Sequence, residues 1–379
     1  MSAAPSKPEN GSRTHRRLGF RFGLRTILIL LLVAGLLANW QRRADWQSAL
    51  VDRIQAAGGS VELYHEVEHD GFWGDVSWPS RHYWQNVHQI TFGGDRPSLQ
   101  GTTAKHQFDD IELLGEIGKL THVENVSFLG YGSELLGKLV RGKSLGTGQL
   151  KILGMHLTDT SDLSLLGHFS ELAYLRLEGS ESNDFAVLKN LKNLQRLEVF
   201  NSNLEDLTPL RSLLELKNIR IVCSKVSDIN PLENLQKLDE VAIVSSNLCD
   251  ITPIGHLKKL RSVNFDLNQI TDISVASKLP GLVHLRLDGN PVSDLSPLMN
   301  HPTLVNLYVS QTEVIDLGPL ATINTLVGIS IKKTDVQSLT PLLSLPELQW
   351  LGYTHGSISD QQLEQVKKRF PNCILSGLL

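Results

Sequence analysis

Cysteine is scarce. The 379 residues hold three, an odd number without paired spacing, so no disulfide framework and no Cys/His structural zinc site is implied. Charge of one sign is lacking too. The formal net charge of -4 offers neither a basic field for nucleic acid nor a strong acidic one. What is present is 41% hydrophobic and 20% charged, enough for a well-buried core and too apolar for bulk disorder.

The amino-terminal end also lacks a long apolar run. Thr26 to Trp40 lies between Arg clusters, but its strictly apolar part is twelve residues, Ile27 to Ala38. A helix usually needs ~20 to span a bilayer. Leu24, Trp40 and snorkelling of Arg25 and Arg42 lengthen the effective span. A secretory signal peptide has an apolar region of this length, but its cleavage site wants small residues at alternating positions, and Leu36 stands two before Ala38. The segment 24–40 therefore reads as an uncleaved signal anchor. Residues 1–25 carry Lys7, Arg13, Arg16, Arg17, Arg21 and Arg25, against Arg42, Arg43 and Arg53 over 41–60. Cations favour the cytoplasmic side, which puts the polar, disordered tail 1–23 inside and the bulk of the chain outside.

From Leu150 onward one spacing recurs. LKILGM, LAYLRL, LQRLEV, LKNIRI, LDEVAI, LRSVNF, LVHLRL, LVNLYV, LVGISI and LQWLGY begin at 150, 172, 194, 216, 238, 260, 282, 304, 326 and 348, always 22 residues apart. A period in the twenties with L-x-x-L-x-L is the leucine-rich-repeat signature. Two looser copies precede them, VHQITF at 87 and VENVSF at 123. Positions 1, 4 and 6 are apolar because a short strand turns them into the solenoid core, where the next coil covers them. Position 9 holds small hydrogen-bonders: Ser180, Ser202, Ser224, Ser246, Asn268, Asn290, Thr312 and Thr334, then Gly356. Position 13 is Asp at 162, 184, 206, 228, 250, 272, 294, 316 and 360, with Ser338 the exception. An apolar residue and usually Pro-Leu follow, as in EDLTPL and SDLSPL, so the aspartates read as helix N-caps rather than catalytic or calcium-binding groups.

Period, Asp column and Pro-Leu pairs together resemble the 22-residue leucine-rich repeats of the internalin type over residues 150–379. The resemblance implies an α/β fold, a right-handed curved solenoid with a parallel concave sheet and short 3-10 or α helices on its convex side. FGLRTIL and the Gly-Gly turn in AAGGSV resemble bacterial membrane-anchored repeat proteins. The expected order is a transmembrane helix over 24–40, a juxtamembrane helix and small α/β cap over 41–86, two irregular repeats over 87–149, regular repeats over 150–358, and a cap over 359–379. In that last segment, SDQQLEQVKKRF offers a capping box of Ser359 with Gln362 and an apolar face of Leu363, Val366 and Phe370. Lys367, Lys368 and Arg369 suit the helix end, and Pro371 stops it.

Three enzyme patterns lie in the wrong context. HEVEH, His65 to His69, matches the zinc-peptidase motif, which needs a helix. Here Gly58-Gly59 and Asp70-Gly71 bound an alternating stretch, Val61, Leu63 and Val67 against Glu62, Tyr64, Glu66 and Glu68, which is a strand. On a strand, positions four apart are separated by roughly 13 Å, too far to chelate one zinc. GKLVRGKSLG, Gly137 to Gly146, fits both a phosphate loop and a nucleophile elbow. Each needs a strand before and a helix after, and the order here is reversed. The aromatic group Phe72, Trp73, Trp78, Tyr83 and Trp84 reads as a plug for the first coil. Cys223 and Cys249, in neighbouring coils, read as unpaired.

The remaining candidates lie at positions 3, 5 and 7, which point out of the sheet. Tyr174, Arg176, Glu178, Arg196, Glu198, Phe200, Asn218, Arg220 and Glu240 form one group; Asp266, His284, Arg286, Asp288, Asn306, Tyr308 and Trp350 form another. Arg with aromatic residues is what protein-binding hot spots use. The candidate ligand-binding residues are Tyr174, Arg176, Arg196, Glu198, Phe200, Asn218, Arg220, His284, Arg286 and Tyr308. Arg176, Glu198 and Arg220 share a column and are expected to pair. The sequence thus points to a membrane-anchored, extracytoplasmic, non-catalytic module for a protein ligand, with no nucleic acid, cofactor or metal. A zinc hydrolase using HEVEH and a self-associating envelope protein are the alternatives.

Overall fold

The computed structural model describes residues 49–56, 59–65, 85–92, 125–128, 150–156, 163–179 and 185–378. A helical stretch over 49–56 buries Leu50, Val51 and Ile54, spaced as one helix face. The strands β1 (Gly59–His65), β2 (Gln85–Phe92) and β3 (Asn125–Phe128) come next. Then follow β4 (Ile152–His156), β5 (Tyr174–Glu178), β6 (Arg196–Phe200), β7 (Asn218–Val222) and β8 (Glu240–Val244). β9 (Ser262–Asn264), β10 (His284–Arg286), β11 (Asn306–Tyr308), β12 (Gly328–Ser330) and β13 (Trp350–Thr354) keep the same 22-residue interval. The last is β14 (Ile374–Leu378). All fourteen form one sheet in chain order. β1 runs antiparallel to β2, and every later pairing is parallel.

The repeat columns explain this order. Positions 1, 4 and 6 are closed to water in every regular coil; Leu172, Leu175 and Leu177, or Leu238, Val241 and Ile243, are each 0% exposed. Each such side chain contributes about 1.5–3 kcal/mol by leaving water, so the coils are held by accumulation rather than by any one contact. Among the described residues, all nine backbone helices opposite the sheet are 3-10 helices, from Leu163–His168 to Thr340–Ser344. A short return to the next strand leaves room for one tight turn only.

Position 9 ties the turns together as expected. Asn290 is 1% exposed. Its amide donates to the Phe265 and Leu287 carbonyls at 2.8 and 3.0 Å, and its Oδ1 accepts the Ile270 N–H at 3.0 Å. Asn268 repeats the pattern on Ile243, Phe265 and Leu248. The serines do less, Ser224 sharing a proton with Ser246 at 2.8 Å. Position 8 holds a column the sequence reading passed over. Gly179, Asn201, Cys223, Ser245, Leu267, Gly289, Gln311 and Lys333 all have positive φ. That left-handed residue swings the chain off the strand so that position 9 can turn inward, and only two of the eight are glycine.

The aspartate column needs a correction. Asp206, Asp228, Asp250, Asp272, Asp294 and Asp316 accept the N–H two residues on, at 2.7–2.8 Å. That N–H belongs to the first residue of each 3-10 helix, and the residue after the aspartate holds the N-cap position without a side-chain bond. The aspartates make Asx turns one residue before the cap. Ser338 does the same more weakly, at 3.3 Å. Asp360 differs, standing inside the first turn of the terminal helix Asp360–Arg369.

That helix carries half of a capping box. Ser359 is its N-cap and accepts the Gln362 N–H. The Gln362 side chain does not return the bond; it accepts from Leu339 N–H and donates to Gln337 O, tying the helix to the coil before it. Val366 and Phe370 are buried and Leu363 partly so. Arg369 donates to the Leu343 and Leu345 carbonyls. β14 was not anticipated: past Pro371 the chain adds one more parallel strand, Ile374 facing Trp350 in register.

The expected transmembrane helix, 24–40, lies outside the described residues, as do Phe72, Trp73, Trp78, Tyr83, Trp84 and the stretch 137–146. Among the described residues no helix is long and apolar enough to cross a membrane.

Candidate binding surface

Two clusters occupy the open face of the sheet. In the first, β5, β6 and β7 align Arg176, Glu198 and Arg220 in register. The expected three-residue pairing is only half formed. Glu198 is 4% exposed although it sits at an outward position. Its Oε1 accepts from Arg196 Nη2 and Nε at 2.6 and 3.0 Å, and its Oε2 accepts the Tyr174 hydroxyl at 2.8 Å. Arg176 Nη1 stands 3.7 Å away. Burial alone would raise the Glu198 carboxyl, but the Arg196 and Tyr174 bonds outweigh it and hold the group below the usual carboxylate range. Burial, then the bond to Glu198, pushes the Tyr174 phenol up.

Arg220 does not reach Glu198. Its guanidinium lies 5.6 Å from the Phe200 ring centroid, while that of Arg176 lies 4.6 Å from the same ring. Arg196 covers Tyr174 at 5.3 Å, and Asn218 is occupied by Glu240 at 3.1 Å. Each cation–aromatic contact is worth about 0.5–1 kcal/mol at an exposed site, and together they hold three arginines in fixed poses. Glu198 is the post to which Arg196 and Arg176 are tied, not a group a ligand can touch.

The second cluster is built differently. Arg286 donates through Nε to Asp266 Oδ2 at 2.9 Å, with Nη2 at 2.7 Å from the same oxygen. Asp266 also accepts the Asp288 N–H, and Asp288 accepts the Ser310 N–H, so these carboxylates extend the strand ladder sideways. Burial pushes the Asp288 carboxyl up despite that bond. Arg286 lies 4.5 Å over the Tyr308 ring, whose centroid is 5.0 Å from that of Trp350. Trp350 lies across β12: a Cβ on Gly328 would fall 1.9 Å from its Nε1, so only glycine admits the indole there. That Nε1 donates to Asn306 Oδ1 at 3.2 Å, and the Asn306 amide meets His284 Nδ1 at 3.0 Å.

Beside Tyr308 and Trp350 an open hollow of about 370 Å³ has Ser330 and Gly352 among its lining. Lys332 and Lys333 also line it. The sequence reading named neither lysine nor these small residues. The signal was there: the outward columns of β12 and β13 change from large side chains to Gly328, Ser330 and Gly352.

The other candidates fall as follows. His65 is the last residue of β1, so the expected strand is described over 59–65; Glu66 to His69 lie outside the described residues. Among the described residues no group of three His, Cys, Asp or Glu could hold a metal ion. Cys223 and Cys249 are free and exposed.

An internalin (inlF) from Listeria monocytogenes superposes on 71% of this chain and 84% of its own, with a TM-score of 0.59 and 24% identity. The fold is an internalin-like leucine-rich-repeat solenoid. An internalin C2 from the same species is 28% identical over 44% of this chain and 74% of its own, with a TM-score of 0.42. A Leptospira interrogans leucine-rich-repeat protein covers 78% of this chain and 91% of its own at 15% identity and a TM-score of 0.45. Those two scores are too low to add to the internalin-like assignment. No protein-family profile and no curated protein matches the chain.

Proposed function

We propose that the chain is a non-catalytic protein-binding module that works outside the cytoplasm, with the open face of its sheet as the contact surface. The segment 24–40 anchors it and 1–23 stays inside, a topology supported by the apolar run and the six cations over residues 1–25. One observation carries the binding reading. Arginine and aromatic side chains are held on an exposed sheet by hydrogen bonds and by cation–ring contacts with one another, so little side-chain freedom is lost when a partner docks. The residues offered are Tyr174, Arg176, Arg196, Phe200, Asn218 and Arg220, and beyond them His284, Arg286 and Tyr308.

The test is capture from an envelope extract by immobilised full-length protein, beside a variant carrying Arg176→Glu, Arg196→Glu and Arg220→Glu. A partner held by the parent and lost by the folded variant supports the first cluster as the contact. Equal capture by both moves the contact off this cluster. No capture, with concentration-dependent sedimentation, favours a self-associating structural role. Topology is read separately, since a membrane-impermeant maleimide added to spheroplasts should label exposed Cys223 and Cys249.

A further inference from the structure

The hollow beside Trp350 differs from the rest of the open face in what its polar groups have left to offer. Ser310 and Ser330 share a hydrogen bond at 2.8 Å, and the Trp350 N–H is spent on Asn306. Asp288 is spent on the Ser310 N–H. Among the described residues neither Lys332 nor Lys333 has a carboxylate within salt-bridge distance; Lys332 reaches only the Ser376 hydroxyl, at 3.2 Å. The lining holds Arg286, Lys332, Lys333 and Asp288; with Arg286 paired to Asp266, the two lysines still outnumber the carboxylate of Asp288, a local positive excess on a chain whose formal net charge is -4. Unsatisfied charge sits next to an aromatic wall, on a floor kept low by Ser330 and Gly352.

We infer that this hollow receives an acidic segment of a protein partner, with a carboxylate at Lys332 and Lys333 and a neighbouring apolar or aromatic side chain against Tyr308 and Trp350. The inference rests on the protein-binding reading above. A polyhydroxyl ligand such as a sugar needs many unpaired donors and acceptors, and Ser310, Ser330, Asn306 and the Trp350 N–H are already paired. What remains is ammonium charge, ring surface, the Gln311 amide and the Tyr308 hydroxyl, which a carboxylate beside a hydrophobe matches.

The experiment is fluorescence anisotropy with full-length protein in detergent micelles and three fluorescein-labelled probes. One is a Gly-X-X-X-X-Gly peptide pool with X drawn from Asp, Glu, Phe and Leu. The second replaces Asp and Glu by Asn and Gln, and the third is an oligogalacturonate. The acidic pool should bind at least tenfold more tightly than the amide pool. The double variant Lys332→Gln, Lys333→Gln should lose that advantage, as should Trp350→Ala, while Lys225→Gln, away from the hollow, should keep it. Equal binding of the two peptide pools overturns the acidic preference and leaves protein binding standing. Undiminished binding by the lysine variant overturns the site, and binding of the oligogalacturonate alone reassigns it to an anionic glycan. If no probe binds a protein that still captures an envelope partner, this inference fails alone; if both assays are empty, the protein-binding reading fails with it.

Discussion

The two clusters on the open face use the same residue types to opposite ends. Around β6, one carboxylate is buried and its neighbours are bonded back to it, so Glu198 collects Arg196, Tyr174 and Arg176 into a closed set. Around β11 and β12, the carboxylates Asp266 and Asp288 serve the strand ladder and one arginine, and two lysines beyond them stay uncommitted. An outward position is therefore not the same as an available group. The first cluster is rigid surface with arginine tips; the second is a hollow with free charge.

That contrast can be broken in several ways, the largest effect first. Glu198→Ala removes the carboxylate that the half-exposed Arg196 guanidinium and the Tyr174 hydroxyl share, and should lower unfolding free energy by about 2–3 kcal/mol in urea titration. Arg286→Ala leaves Asp266 with its backbone bond and should cost about 1–2 kcal/mol. Equal losses would mean the two clusters are built alike. Next, Asn290→Ala leaves the buried Ile270 N–H unpaired, while Phe265 O keeps Asn268 and Leu287 O keeps the residue-290 N–H, for about 1–2 kcal/mol, whereas Ser224→Ala, half-buried, should cost under about 1 kcal/mol.

Acid should also reach Glu198 and His301, a buried group outside both clusters, at different pH. His301 stands where other coils have Leu279 or Ile323, and it is 5% exposed. Its Nε2 meets the Leu279 carbonyl, and its Nδ1 accepts the Leu304 N–H, so the ring is neutral with the proton on Nε2. Burial pushes its pKa below the ordinary value. The unfolded chain then takes up the proton first, so stability is complete above about pH 6.5 and declines as pH falls below it. Glu198 has a depressed value, so its contribution is present above about pH 4.3 and is lost as pH falls through its folded value. Urea midpoints should drop between pH 7 and 5 in the parent but hardly in His301→Leu; a parallel drop in both would remove His301 from the account. The smallest effect is at position 8, where Cys223→Gly relieves a left-handed φ of 54° and should stabilise by about 1 kcal/mol.

Most of the fold is legible in the sequence because each column answers one local demand. Leucine spacing gives the strands, Asn and Ser at position 9 give the turns, and Asp with Pro-Leu marks where each helix begins. What escapes is set by neighbours rather than by the coil itself. The left-handed column hides because six of its eight residues are not glycine, and the neighbouring ladder holds them there. β14 hides because its coil is two residues longer than the repeat, stretched by the terminal helix. Of the candidate site, Arg176, Arg196, Arg220, Arg286 and Tyr308 are legible as outward positions. The burial of Glu198, and the hollow over Ser330 and Gly352 beside the indole that Gly328 admits, depend on how side chains cross from strand to strand.

The most direct measurement is photo-crosslinking in the native envelope, with p-benzoylphenylalanine placed in full-length protein at Tyr308 on the open face or at Arg211 on the 3-10 helix Thr208–Ser212. A discrete protein adduct from position 308 and none from 211 is the predicted result. An adduct from 211 with none from 308 would contradict the account and move the contact to the helix side.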